Sequence, residues 1–276
     1  KNKISCVIME PITVSPPSCL NKDKKNCKIN CKNFCKNNFL TKVKELCKKN
    51  KTLLIFDEVI TGFRYSMGGA QKLFGVYPDL ACFAKAISNA IPLSAVTGKW
   101  KYMKKLDKVF FSFTYGGDCI GLAAAKATIT KLYKMKCIEH IYKVGEKLKS
   151  GLNKIINKHN LSYLVSCEGF PCRSILKINN LKQFPDPLII KTFVQQELIK
   201  NGILWSQYHS ISFAHKNKHI NATLKSFEVI FKKLKNIIDN KEKLEKYLDG
   251  KPCQPVFTRV ADFQAVAMGQ KKIKNN

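Results

Sequence analysis

Leu53-Leu54-Ile55-Phe56-Asp57-Glu58-Val59-Ile60-Thr61-Gly62-Phe63-Arg64 opens with four apolar residues and delivers two carboxylates where the apolar run stops. Further on, Pro78-Asp79-Leu80-Ala81-Cys82-Phe83-Ala84 forms a second run of mostly small or apolar residues and delivers a single amine, Lys85. Short apolar runs without alternation predict strands of a parallel sheet covered on both faces, because a half-exposed strand would alternate apolar and polar residues. Ligands of such sheets bind beyond the carboxyl ends of the strands, which places Asp57 and Lys85 at the ligand edge.

Pyridoxal 5'-phosphate needs an acid and an amine set apart in this way. A lysine amine joins its aldehyde as a Schiff base, and a carboxylate keeps its ring nitrogen protonated so that the ring absorbs carbanion charge. An acid after one strand and a lysine after another also occur in many α/β proteins with other functions, so the pair alone defines none. Its neighbours narrow the reading. Asp57-Glu58-Val59 is followed by Thr61-Gly62-Phe63-Arg64, then by Gly68-Gly69-Ala70-Gln71-Lys72-Leu73-Phe74-Gly75-Val76, then by the run from Ala84 through Pro92 to Lys99. This succession resembles the large domain of class III (fold-type I) aminotransferases, most closely glutamate-1-semialdehyde aminotransferases and their relatives.

The resemblance implies an α/β fold-type I large domain with a mostly parallel sheet, a smaller α+β C-terminal domain, and pyridoxal phosphate as cofactor. It also implies a small-molecule amino donor and carbonyl acceptor, and a cytoplasmic homodimer with shared active sites. By the same resemblance Lys85 is the catalytic Schiff-base lysine, Asp57 pairs with the ring nitrogen and Val59 packs on the ring face. Glu58 is expected to hold the loop. Lys85 is the only lysine among the 26 residues between Lys72 and Lys99, with alanine on either side. Val109-Phe110-Phe111-Ser112-Phe113-Thr114-Tyr115-Gly116-Gly117-Asp118 is the second match, and in the family its threonine, here Thr114, reaches the cofactor phosphate of the other subunit.

The chain departs from the family in places. Asp118-Cys119 stands where many relatives have Asn-Pro, which leaves room for a side-branch aminotransferase. Asn89 and Ala90 stand in the family's glycine-rich run; asparagine tolerates a left-handed backbone, alanine poorly. The strand Ile4 to Met9, ending in Glu10-Pro11, lies well inside the large domain of relatives, so the resemblance predicts a chain lacking the N-terminal third, with its phosphate-binding loop. Three readings stay open: an aminotransferase, a glutamate-1-semialdehyde 2,1-aminomutase, and a non-catalytic fragment that keeps the fold.

Composition sets the bounds. An apolar fraction of 45% in 276 residues suffices for a core. No run of about 20 apolar residues exists, so no spanning helix is expected. A formal charge of +30 invites a nucleic-acid reading. Only Arg64, Arg173 and Arg259 among the 49 basic residues offer the planar fork that recognition surfaces favour, so nucleic acid is not the expected partner. Twelve cysteines without a signal peptide are expected as thiols. Cys27, Cys31 and Cys35, with Cys19 or Cys47, could complete four zinc ligands, but the spacing lacks the paired pattern of zinc sites and no metal is assigned.

Residues 1–130 are expected to form the C-terminal part of the cofactor-binding domain, with a basic, cysteine-bearing surface insertion near 18–38. Residues 131–260 would hold a linking helix and the small domain, and 261–276 a tail. Apolar spacing predicts helices at Phe39 to Leu46, Gly121 to Asn160, Pro187 to Asn201 (stopped by Gly202) and Ile220 to Ile238. Strands are expected at 163–167, 174–178, 203–205 and 211–215. His215 is read as structural. Arg259 offers either a carboxylate-binding fork or a surface ion pair.

Overall fold

Three strands run side by side in parallel, β1 (Cys6–Met9), β2 (Leu53–Asp57) and β3 (Leu80–Phe83), and β4 (Ala95–Gly98) closes the row antiparallel. The computed structural model describes residues 4–12, 39–110, 112–181 and 186–254. The insertion at 18–38 with Cys19, Cys27, Cys31 and Cys35, the residue Arg259 and the tail at 261–276 lie outside these. Among the described residues one face of the sheet is well covered: Leu54, Phe56 and Ala81 are buried. On the other face Leu53, Ile55, Leu80 and Cys82 are half-buried and Ile8 is exposed, so among the described residues that face is only partly covered.

Helix α1 (Phe39–Lys49) forms where predicted and turns only part of its apolar surface inward. Leu40, Val43 and Cys47, spaced by three and four residues, share one face, while Phe39 and Leu46 are exposed. Helix α2 (Gly69–Phe74) follows β2 and ends at Gly75, whose φ of 66° makes the left-handed stop. The short α3 (Trp100–Met103) follows β4.

The long helix expected from Gly121 to Asn160 is two helices, α4 (Cys119–Lys134) and α5 (Cys137–Lys158). Lys136 adopts a left-handed φ of 48°, which no helix interior accommodates, and Met135 caps α4 through its N–H to Lys131 O. The apolar stripe runs on through Ile141, Val144 and Leu148, all buried, so periodicity alone does not reveal the break. Asp118 caps α4, accepting from Gly121 N at 2.9 Å. Asp118-Cys119 therefore does locally what an Asn-Pro pair does, a cap followed by a first-turn residue.

Strands β5 (Val165–Phe170), β6 (Arg173–Ile178) and β7 (Tyr208–Ser210) make a second sheet, with β6 and β7 antiparallel. The strands expected at 203–205 and 211–215 are replaced by β7 between them; Trp205 and Ile211 are buried without extending it. Helix α6 (Pro187–Lys200) starts on an Asp186 cap with Pro187 in its first turn, and Gly202 follows at φ 72°. Helix α7 (Asn217–Asp239) is the last long helix.

The chain divides into two units. The first comprises Lys1–Gly151, Cys167–Ile175 and Tyr208–Asn221 and contains the four-stranded sheet. Its aromatic centre is Phe170, edge-on to Tyr65 at 5.3 Å and to Phe74 at 6.2 Å. The second comprises Leu152–Ser166, Leu176–Gln207 and Ala222–Asn276, with Trp205 edge-on to Phe227 and Phe231 tilted against Phe227 in its core. No helix among the described residues is long and apolar enough to cross a membrane. The described cysteines are all free, and no group of three or more metal-binding side chains occurs among the described residues.

Candidate active site

The parallel register brings the two predicted groups to one edge. Asp57 is the last residue of β2 and pairs with Cys82 of β3; Lys85 comes three residues after Cys82 in the same direction. Asp57 is half-buried, and its Oδ1 accepts from Val59 N at 2.9 Å. Its Oδ2 has no hydrogen bond among the described residues, so one carboxylate oxygen at the strand end is left to receive a donor. The side chain also makes itself felt next door, where burial first and the Asp57 charge second push the Cys82 thiol up.

Lys85 opens a 3-10 turn, Lys85–Ile87, and is exposed, with no ion pair or hydrogen bond from its amine among the described residues. Its φ of 49° lies in the left-handed region, as do Asn89 at 48° and Ala90 at 95°. A positive φ costs a residue with a β-carbon, most plainly Ala90, so the turn keeps its shape at a cost in backbone strain. Ser88, buried beneath it, donates its hydroxyl to Ile91 O. No sequence signal marked Ser88, because its role depends on the turn that buries it.

Glu58, next to Asp57, is fully buried and fully occupied. Its carboxylate accepts from Ala70 N and Gln71 N, both at 2.8 Å, and from the Thr61 hydroxyl. It thus holds the start of α2 beneath the loop, the role expected of it. Gly69, at φ 74°, leaves room for it: a β-carbon there would lie 2.5 Å from Glu58 Oε2. Gly62 likewise makes space for the ring of Phe83, which packs against Phe63.

Arg64 is committed elsewhere in the first unit. One guanidinium nitrogen donates to Cys172 O and to Ile211 O, both at 2.9 Å, and burial lowers its proton affinity. A largely apolar pocket of about 420 Å³ lies beside the Lys85 turn, lined by Ala86, Asn89, Phe63, Ile138, Ile141 and Phe213 among others. Neither Asp57 nor Lys85 lines it. His215 is held by its own turn: its Nδ1 accepts from Ser212 N at 3.0 Å, and its carbonyl lies 2.9 Å from His140 Nε2.

Val59 lies two residues after Asp57 and is half-buried. Thr114 sits in a turn closed by Gly116 N to Phe113 O and Asp118 N to Tyr115 O. It is exposed and has no hydrogen bond among the described residues; the strand register puts Asp57 and Lys85 at one edge of the sheet, with Val59 N bonded to Asp57, and no contact links Thr114 to them among the described residues.

Fold and edge together define a fold-type I α/β chain of the transaminase kind. The FumI protein of a Sphingopyxis species, solved in a pyridoxal-phosphate internal aldimine form, superposes with a TM-score of 0.71 at 21% identity, over 86% of this chain and 54% of that one. The model of the class-III aminotransferase family matches residues 32–242, and the chain belongs to that family. A glutamate-1-semialdehyde 2,1-aminomutase of Wigglesworthia glossinidia brevipalpis is 30% identical over 247 residues, 85% of this chain and 54% of that protein. One of Acetivibrio thermocellus is 32% identical over 241 residues, 84% and 52% respectively. The chain therefore spans about half the length of these curated relatives.

Proposed function

We propose that this chain carries the lysine-bearing part of a pyridoxal-phosphate-dependent aminotransferase, acting as a cytoplasmic homodimer on a small-molecule amino donor and a carbonyl acceptor. The observation that carries the reading is the placement of Asp57 and Lys85 at one carboxyl edge of adjacent parallel strands, with Asp57 Oδ2 and the Lys85 amine free of hydrogen bonds among the described residues, in a chain of the class-III family. Lys85 would hold the cofactor's aldehyde carbon, Asp57 its ring nitrogen and Val59 a ring face, while Thr114, exposed on its turn, would serve the phosphate held by a second copy. Pyridoxal phosphate, when bound, supplies an electron sink for the carbanion at the substrate's amine-bearing carbon. Asp57, as a carboxylate beside the ring nitrogen, keeps that nitrogen protonated. Lys85 Nζ, as the free amine, takes the proton from the substrate carbon.

A second reading, intramolecular amino transfer in glutamate-1-semialdehyde, is favoured by the names of the curated relatives. Product formed from that compound with no added amino donor would select it. For the shared chemistry, the chain is mixed with pyridoxal phosphate, reduced with borohydride and mapped by peptide mass spectrometry. Label on Lys85, lost in Lys85→Ala, is the expected result. Label confined to other lysines, or none at all, refutes the role of Lys85 and leaves a non-catalytic chain that keeps the fold.

A further inference from the structure

At the opposite edge of the same sheet lies a pocket of about 350 Å³ that the aminotransferase reading does not use. It forms where β2 begins, where Asp79 leads into β3 and where Lys99 follows β4. Lys44, Lys48, Lys51, Lys99 and Lys101 line it, against one carboxylate, Asp79. That carboxylate is already engaged, accepting from Leu54 N at 3.0 Å and from Lys99 Nζ at 2.6 Å, which holds it below its usual range despite partial burial. Lys44, Lys48, Lys51 and Lys101 have no ion pair among the described residues. Lys101 Nζ lies 4.6 Å above the ring of Tyr102, a second aromatic, Tyr77, lines the wall, and both lie in the pocket lining.

These four lysines without an ion pair among the described residues line one concavity, and an anion with several oxygens can meet more than one of their ammonium groups at once. A single small oxyanion reaches fewer of these groups, which come from the end of α1, the turn before β2 and the start of α3. Lysine binds phosphate as a mobile point charge without demanding the planar geometry of arginine. We propose that this pocket is a binding site for a diphosphate group, free or carried on a nucleoside, separate from the Asp57–Lys85 edge. The tyrosines supply hydroxyl donors and ring faces on which a nucleoside base can stack.

The test is calorimetric titration of the full chain with pyrophosphate and, in a second arm, with ADP. It compares the wild type with Lys48→Gln/Lys101→Gln and with a control of equal charge change, Lys126→Gln/Lys225→Gln, both exposed outside the pocket. The pocket variant should lose roughly tenfold in pyrophosphate affinity and the control less than about twofold. Tighter ADP than pyrophosphate binding assigns a nucleoside; equal binding assigns the free anion. In parallel, acetylation of lysines is mapped with and without pyrophosphate, and Lys48 and Lys101 should be shielded while Lys126 is not. Equal losses in both variants, or uniform shielding, would mean diffuse attraction to a chain of charge +30 and overturn the proposal. So would pyrophosphate binding that neither variant changes, because it would place the anion elsewhere. Circular dichroism of each variant checks that it is folded, and the shielding pattern on the wild type decides the matter if a variant is not.

Discussion

Lowering the pH from 7 to 5 should cost this protein about 2 kcal/mol of stability through one side chain, His209. The imidazole is 5% exposed on β7, with Nδ1 3.0 Å from Ser174 Oγ and 3.9 Å from Cys167 Sγ. Burial pushes its pKa down to about 4, and the Cys167 thiol, pushed up to about 11, stays neutral throughout the range. In the unfolded chain the same imidazole titrates near 6.5. Below that value the unfolded state takes up a proton that the native state refuses until about pH 4, so stability falls as pH drops through this window and is recovered as it rises. At about 1.4 kcal/mol per pH unit the whole gap is worth about 3 kcal/mol, of which about 2 are lost by pH 5. The assay is urea unfolding of the full chain at pH 7, 6 and 5, followed by far-ultraviolet circular dichroism, for wild type and His209→Asn. Asparagine keeps a polar group near Ser174 but cannot take the proton. The variant should start less stable and lose about 2 kcal/mol less between pH 7 and 5. Parallel losses in the two proteins would refute the reasoning, since the acid sensitivity would then belong to other groups.

Two further substitutions probe the site's scaffold. Gly69→Ala should destabilise by about 3 kcal/mol in urea unfolding, because it combines a positive φ with a β-carbon driven into the buried Glu58 carboxylate. Ala90→Gly should act the other way, raising stability by about 0.5–1 kcal/mol, since glycine adopts the φ of 95° without steric cost; unchanged or lower stability would show that the turn carries no strain.

The apolar runs before Asp57 and Lys85 were legible because a buried parallel strand admits few polar residues, and their carboxyl ends are where a parallel sheet exposes its groups. Helix α6 could be read nearly to the residue, since Asp186, Pro187 and Gly202 punctuate it chemically. The break between α4 and α5 could not. It occurs at a lysine in a left-handed conformation, and a lysine carries no signature for that. Which stripe of α1 is buried was not legible for a related reason: Phe39 and Leu46 are apolar and exposed, while Leu40 and Cys47 are buried, and which of two overlapping stripes is buried depends on what the helix packs against. β7 escaped notice because Tyr208-His209-Ser210 shows no apolar run, and its strand exists through pairing with Arg173 to Ile175.

By itself the sequence determined the kinds of groups and their order along the chain: an acid at the end of one strand, an amine after the next, and a charge of +30 carried almost wholly by lysine. Those are local properties, set by hydrophobic pattern and residue chemistry. Only the tertiary structure decided which groups meet. Strand register set Asp57 against Cys82 and so beside the approach to Lys85; Arg64 found carbonyls 108 and 147 residues away. Five lysines scattered over nearly sixty positions were gathered around one pocket at the other edge. Contacts between distant residues follow from how the elements pack, and neither composition nor periodicity encodes that locally.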